Sequence, residues 1–120
     1  LKPGGALLLD VYSLRAFDRR EETAVYACDL LEGFWSEQLY FGFLNTFKYL
    51  DEKVVLDKYT IVEETRSRVV YNWLQYFDRD ALRKEIEAQA LTVMEFTGDA
   101  AGSAFDPGAD EFAVIVVKPG

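Results

Sequence analysis

The chain begins and ends with short apolar runs that predict strands. Residues 6–11 read Ala-Leu-Leu-Leu-Asp-Val and follow a Pro-Gly-Gly turn, and residues 112–117 are all apolar. Continuous apolar runs of this length are typical of strands buried on both faces of a sheet. We therefore expect both runs to be buried and to pair with each other, with the last strand central in its sheet.

The middle of the chain, residues 38–77, alternates between apolar and polar positions over long stretches. A first strand is expected before the turn at 51–53, a second over Val54–Glu63, and a third over Arg68–Phe77 after a turn at 65–67. Aromatic and β-branched residues are enriched in all three, as in strands generally. Because the connections are short, the pattern predicts a three-stranded antiparallel meander. Residues 23–34 fit no element clearly.

Two segments have helical signals. Ser13 can cap a helix over Leu14–Glu22, and Asp78 can cap a second helix that buries Leu82 and Ile86 and ends near residue 89 or 90. A strand over 91–96 and a glycine-containing loop over 98–108 follow.

The composition of the chain argues against several classes of function. The net charge of -8 argues against a nucleic-acid partner and against anionic membrane surfaces, both of which favour basic proteins. No apolar run reaches the length of a membrane span. Cys28 is the single cysteine and there is no histidine, so neither a cysteine nucleophile with a histidine base nor a metal site is expected. We expect a cytoplasmic protein.

Three segments, in this order, resemble the C-terminal part of class I S-adenosylmethionine-dependent methyltransferases of the small-molecule type. They are Leu-Lys-Pro-Gly-Gly-Ala-Leu-Leu-Leu-Asp at 1–10, Tyr-Phe-Asp-Arg-Asp-Ala-Leu-Arg-Lys-Glu-Ile-Glu at 76–87, and Phe-Ala-Val-Ile-Val-Val-Lys-Pro at 112–119. The resemblance implies an α+β piece: a mixed sheet of strands five, seven and six of a Rossmann-like methyltransferase, with strand seven antiparallel between the other two. The meander and two or three helices complete it, and we treat residues 1–120 as one domain.

Gly-Phe-Trp-Ser at 33–36 and Tyr-Asn-Trp-Leu-Gln-Tyr-Phe at 71–77 resemble an antiparallel insertion, here 35–77, that covers the substrate pocket in some of these enzymes. Methyl transfer from a sulfonium needs alignment and exclusion of water, and aromatic faces favour both the cation and a stacked substrate. The alternative is that these aromatic residues simply fill the core. The predicted substrate-binding residues are Tyr12, Phe34, Trp35, Tyr71, Trp73 and Tyr76; no catalytic residue is assigned.

The chain departs from the family pattern at two places. No three of its glycines have the spacing of a Gly-rich cofactor loop after a strand, so the resemblance implies that S-adenosylmethionine is bound mainly by a preceding half outside these residues. Gln89-Ala90-Leu91 stands where the family often has Ala-Gly-Phe, and glycine would suit a left-handed helix cap there.

Two functions remain in view. The first is the substrate-side region of a methyltransferase acting on a small-molecule methyl acceptor, inactive as these 120 residues alone. The alternative is a non-enzymatic ligand-binding or dimerisation module built on the meander. A homodimer is also expected, because a second copy would cover the strand edges and the apolar face of residues 6–11.

Overall fold

A computed structural model describes all 120 residues as seven strands and two short helices. The elements in chain order are β1 (Ala6–Ser13), α1 (Leu14–Arg19), β2 (Ala24–Cys28), β3 (Tyr40–Tyr49), β4 (Val54–Glu63), β5 (Ser67–Phe77), α2 (Arg79–Glu87), β6 (Thr92–Thr97) and β7 (Glu111–Val117). The chain forms two compact units. The terminal unit comprises Leu1–Arg19 with Tyr76–Gly120, and the antiparallel unit comprises Arg20–Gln75.

The terminal unit is built on the two apolar strands at the ends of the chain. β7 lies between β1 and β6 and runs antiparallel to both, while the last two residues of β5 pair in parallel with Tyr12 and Ser13 of β1. The expectation that the last strand is central and antiparallel is therefore confirmed. Phe112, Val114 and Val116 of β7 are buried, as their uninterrupted apolar sequence predicts.

Helix α2 covers one face of this sheet, and its two ends are determined by neighbouring residues. Asp78 accepts a hydrogen bond from the backbone N–H of Ala81 at 2.7 Å, so the predicted N-cap is confirmed. Leu82 and Ile86 are buried against β7, as predicted from their spacing. The chain leaves the helix through Ala90, which has a φ of +59°.

Strand β1 differs from the sequence prediction. Leu7, Leu8 and Leu9 are 36–48% exposed, so the prediction of a strand buried on both faces is wrong for these residues. The reason is the pairing: β7 occupies one edge along the whole strand, whereas β5 pairs with the other edge at Tyr12 and Ser13 alone. The edge of β1 over residues 6–11 has no backbone partner among the 120 residues.

The antiparallel unit is a four-stranded meander in the order β2-β3-β4-β5. Strand β4 has the predicted bounds, and the three predicted strands are confirmed in their order and direction. Strand β2 was missed because its five residues show no regular alternation. It belongs to the unit, which therefore spans residues 20–75, whereas the predicted insertion covers 35–77.

Alternation and register divide this meander into two faces. The inner face contains Tyr40, Ile61 and the glycine at position 42, and the segment around Leu30 packs on it to form a small core. The opposite, outer face carries the odd-numbered residues of β3 and β5 and the even-numbered residues of β2 and β4.

No helix of the protein is long and apolar enough to cross a membrane.

Candidate functional site

In the terminal unit, three aromatic rings meet at the carboxyl end of β1. Tyr12 and Tyr76 are paired across β1 and β5, and their ring centroids lie 5.6 Å apart. Tyr76 is 3% exposed and contacts Phe17 of α1 edge-on at 5.5 Å. Tyr12 is half exposed. Two of the six predicted site residues are thus in contact, one as a buried support and one as an accessible phenol.

A cleft of about 180 Å³ opens beside this pair. It is lined by Asp10, Val11, Tyr12 and Glu111, so two carboxylates and a phenol face a small volume at the end of a sheet. Ligands of open α/β sheets bind outside the carboxyl ends of strands. These groups can accept hydrogen bonds from a small polar molecule or donate them to it, and the carboxylates can attract a cation.

Ser13 has a structural role, as its sequence position suggests. Its Oγ donates to the carbonyl oxygen of Ala109 at 2.7 Å and accepts from the backbone N–H of Ala16 at 3.2 Å. This hydroxyl therefore caps α1 and ties it to the loop before β7, and both of its hydrogen-bonding roles are used within the fold.

The antiparallel unit holds a second aromatic cluster on its inner face, centred on Trp35. The indole contacts Tyr59 at 4.7 Å between ring centroids and Phe34 edge-on at 5.0 Å. Phe34 is 72% exposed, whereas the indole Nε1 is buried and has no hydrogen-bond partner. Arg68 donates to the backbone oxygen of Trp35 and fixes the segment. A buried N–H without a partner is uncommon, and it can donate to a bound molecule.

A buried ionic group lies on the same inner face. Asp57 accepts from Arg20 Nη2 at 2.6 Å and from Thr46 Oγ1 at 2.7 Å. Burial raises the pKa of the neighbouring Tyr59 phenol; the Asp57 carboxylate also raises it, while Arg20 opposes the shift. Tyr59 therefore stays a neutral hydroxyl. Sequence reasoning missed these residues. The signal that was available was a lone acid inside an apolar strand, since Asp57 lies at the centre of β4.

The remaining predicted site residues lie on the other side of the meander. Tyr71 and Trp73 belong to the outer face of β5, opposite to the face that Trp35 contacts. Tyr71 lies under the Lys58 ammonium at 6.0 Å, and Trp73 contacts Tyr49 at 5.7 Å. Within this unit the predicted aromatic residues thus divide between two faces. Whether any of them contacts a substrate stays a prediction.

The described residues do not form a nucleotide-type cofactor cradle. Such a cradle needs a Gly-rich turn between a strand and a helix. The turn from β1 to α1 contains no glycine, and the glycines with positive φ, which are Gly4, Gly33 and Gly102, do not lie between a strand and a helix. The side chains also contain no group of three or more potential metal ligands, and Cys28 is free and exposed.

In the terminal unit, the antiparallel strand β7 between β1 and β6, together with the parallel β1–β5 contact, defines a class of fold. It is that of S-adenosylmethionine-dependent methyltransferases, which the whole chain matches in solved structures. One match is to the CcbJ methyltransferase from Streptomyces caelestis, with a TM-score of 0.63 and 14% identity. Another is to an S-adenosylmethionine-dependent methyltransferase from Clostridium acetobutylicum, with a TM-score of 0.68 and 11% identity.

Each match covers the whole of this chain. The matches cover only 46% and 47% of the solved chains, so this chain spans about half the length of the methyltransferases it resembles. At these identities the likeness concerns the fold. No protein-family model and no curated protein sequence matches the chain. The family resemblance noted in the sequence is thus confirmed at the level of structure.

Proposed function

We propose that these residues are the substrate-side region of an S-adenosylmethionine-dependent methyltransferase that acts on a small molecule. The observation that carries the proposal is the full-length match of this chain to under half of two methyltransferases. In this assignment β1, β7 and β6 correspond to strands five, seven and six of the enzyme sheet. A strand of a preceding segment would then pair with the free edge of β1 over residues 6–11.

The cleft at the carboxyl end of β1 is the proposed position of the methyl acceptor. Tyr12 would orient the acceptor through its hydroxyl, since half of its side chain is accessible and Tyr76 holds the ring in place. Asp10 and Glu111 would attract a polar or cationic group. The aromatic rings would contribute contact area and exclude water, which displacement at a methyl group requires.

The cofactor would be held mainly by residues outside these 120, because the chain lacks a cradle of its own. The 120-residue chain alone is therefore expected to be inactive and to bind S-adenosylmethionine weakly or not at all. Restoring the preceding segment should supply the Gly-rich turn and the ribose-binding acid of the class.

Calorimetry tests the proposal on two proteins. The 120-residue chain should give no heat with S-adenosylmethionine, and a longer chain that includes the preceding reading frame should bind it. In the longer chain, Tyr12→Phe should weaken turnover of an accepted substrate at least about tenfold if the lost hydroxyl orients the acceptor, while leaving cofactor binding unchanged. A longer chain that is folded and does not bind the cofactor would refute the proposal.

The second candidate is a non-enzymatic ligand-binding or dimerisation module. The aromatic residues of the meander favour it, as does the absence of a nucleophile paired with a base. The upstream reading frame discriminates between the two functions. A strand followed by a Gly-rich turn, about a hundred residues before Leu1, favours the enzyme; a frame without one favours the module.

A further inference from the structure

The outer face of the antiparallel unit is an apolar surface whose large side chains are exposed. Its exposed large residues come from all of the strands except β4, and each is 39–57% exposed. Ring contacts join several of them, including Tyr26 with Phe43 at 4.9 Å and Tyr49 with Trp73 at 5.7 Å. The aromatic members are Tyr26, Phe41, Phe43, Phe47, Tyr49, Tyr71 and Trp73.

The charge of this face sets it apart from the rest of the molecule. The chain has 21 acidic residues, yet none of the outer-face positions in β2 to β5 is acidic. Lys58 is the one charged residue there, and its ammonium lies over the Tyr71 ring. Enrichment in aromatic side chains with depletion of charge marks the centre of protein interfaces. Two acidic copies of this chain can approach closely over these strand positions because none of them carries a carboxylate. Glu63 and Glu64 line the cleft at one end of the strands.

The area of the face suits a dimer. From the exposed fractions of the aromatic residues and the surface of an aromatic side chain, the exposed aromatic area is about 700 Å². A stable interface of ordinary size buries ~800 Å² on each partner. The aromatic residues therefore supply most of the area of an ordinary interface, and other exposed side chains of the face, such as Val69, add to it.

The two ends of the strands differ, since one bears a cleft and the other an aromatic pair. At one end of the strands lies an open cleft of about 450 Å³, which is lined by Gln38, Leu39, Phe41, Val62, Glu63 and Glu64. Trp73 and Tyr49 stand at the opposite end, beside the Val54 and Leu56 end of β4. A two-fold axis through the face would set each Trp73–Tyr49 pair over the cleft of the other copy, which is the arrangement of an isologous contact.

We propose that the outer face of the antiparallel unit is the surface through which two copies of this chain form an isologous dimer. This dimer is independent of methyltransferase activity and of the cofactor. It also differs from the pairing expected from the sequence, which would have used the exposed leucines of β1.

Sedimentation velocity of the 120-residue chain over a range of concentrations tests the proposal. The chain should sediment as a dimer, and Trp73→Glu and Tyr71→Glu should each raise the dissociation constant by at least about thirtyfold, the effect of losing one strongly contributing interface residue. Both positions are more than half exposed, so the variants should keep the circular dichroism of the parent. The control Leu8→Glu places the same charge on the exposed part of β1 and should leave the dimer intact.

Tryptophan fluorescence gives a second readout. The chain has two tryptophans, so Trp35→Phe isolates the emission of Trp73. As the dimer forms, the emission of Trp73 should shift to shorter wavelength, and its quenching by acrylamide should decrease. Trp73→Phe, which reports Trp35, should show no such change. A folded chain that stays monomeric at about 1 mM, a concentration that would populate even a weak dimer, overturns the proposal. A dimer that Leu8→Glu disrupts and Trp73→Glu does not would also overturn it.

Discussion

Arg20 Nη2 donates to the Asp57 carboxylate at 2.6 Å in the interior of the antiparallel unit. The Asp57 side chain is 7% exposed and that of Arg20 is 31% exposed. The sequence predicted a helix over Leu14–Glu22, which would have included Arg20. That bound was wrong, because α1 ends at Arg19 and the next residue directs its guanidinium to Asp57 of β4.

Removing the guanidinium should therefore destabilise the fold strongly. Arg20→Met leaves the Asp57 charge buried with the Thr46 hydroxyl as its hydrogen-bond donor, and such a loss costs about 3 kcal/mol of the free energy of unfolding. Urea denaturation measures it. Arg19→Met is the matched control, because the Arg19–Asp110 pair is exposed on both sides and should contribute less than about 1 kcal/mol. Equal losses at the two positions would contradict this interpretation.

Gly42 is required by the close approach of Leu30 to strand β3. A Cβ atom at this position would lie 2.4 Å from the Leu30 Cβ, which no side-chain rotation can relieve. Gly42→Ala should destabilise the chain by about 2 kcal/mol through overpacking. At Gly108 the nearest atom is the end of the Asp106 side chain at 3.4 Å, so Gly108→Ala should have a much smaller effect.

The double variant Gly42→Ala/Leu30→Ala tests the cause. If the clash with Leu30 is the source of the loss, the added methyl group should cost less when position 30 is alanine than when it is leucine. Additive losses in thermal and urea denaturation would point to a different origin, such as a change in the backbone of β3.

Ala90 lies just past the end of helix α2, in a conformation that suits glycine. Its φ of +59° places the Cβ close to a carbonyl oxygen, which costs a non-glycine residue about 1 kcal/mol or more. Ala90→Gly should accordingly raise the free energy of unfolding by about 0.5–1 kcal/mol. Ala88→Gly, at a φ of -62°, should lower it instead. A destabilising Ala90→Gly would show that the left-handed cap does not exist in solution.

Asp99 organises the loop between β6 and β7. Its carboxylate accepts from the Ser103 hydroxyl at 2.7 Å and from the backbone N–H groups of Ser103 and Ala101. These hydrogen bonds, led by that of the hydroxyl, hold the pKa of Asp99 below its ordinary value. The charged form is thus favoured by folding. Its contribution to stability is present above the ordinary pKa of aspartate and is lost as the pH falls through the lowered pKa of the folded state.

Carbon-detected NMR titration of the carboxyl group tests this arrangement. Ser103→Ala should raise the pKa of Asp99 toward the value of an unperturbed aspartate. Ser36→Ala is the control, because the Ser36 hydroxyl accepts from Gln38 and does not contact Asp99. An unchanged pKa in Ser103→Ala would mean that the hydroxyl does not donate to the carboxylate in solution.

Much of the local structure could be predicted because it depends on neighbouring residues. The cap at Asp78, the buried pair Leu82 and Ile86, and the strand Val54–Glu63 each follow from spacing and side-chain type within a few positions. The left-handed position at Ala90 was also indicated, by comparison with a family that often has glycine there. Strand β2 was not predicted, since its five residues depend on pairing with β3 for their conformation.

The candidate site was harder to predict, because it depends on which faces and edges meet. The sequence selected six aromatic residues for the site, and of these Tyr12 and Tyr76 are in contact; that they bind a substrate stays a prediction. It could not assign Trp35 to the inner face and Tyr71 and Trp73 to the outer face, since that division depends on register across four strands. It also gave no partner for Asp57, because Arg20 is 37 positions away in the chain.

The sequence by itself determined most of the element types, the central position of the final apolar strand and the resemblance to methyltransferases, because periodicity, capping and turn chemistry are local properties. Tertiary structure alone decided how exposed β1 is, which aromatic residues share a face, and that an apolar face without acidic residues stays open. Those properties depend on strand order and register, which bring together residues far apart in the chain.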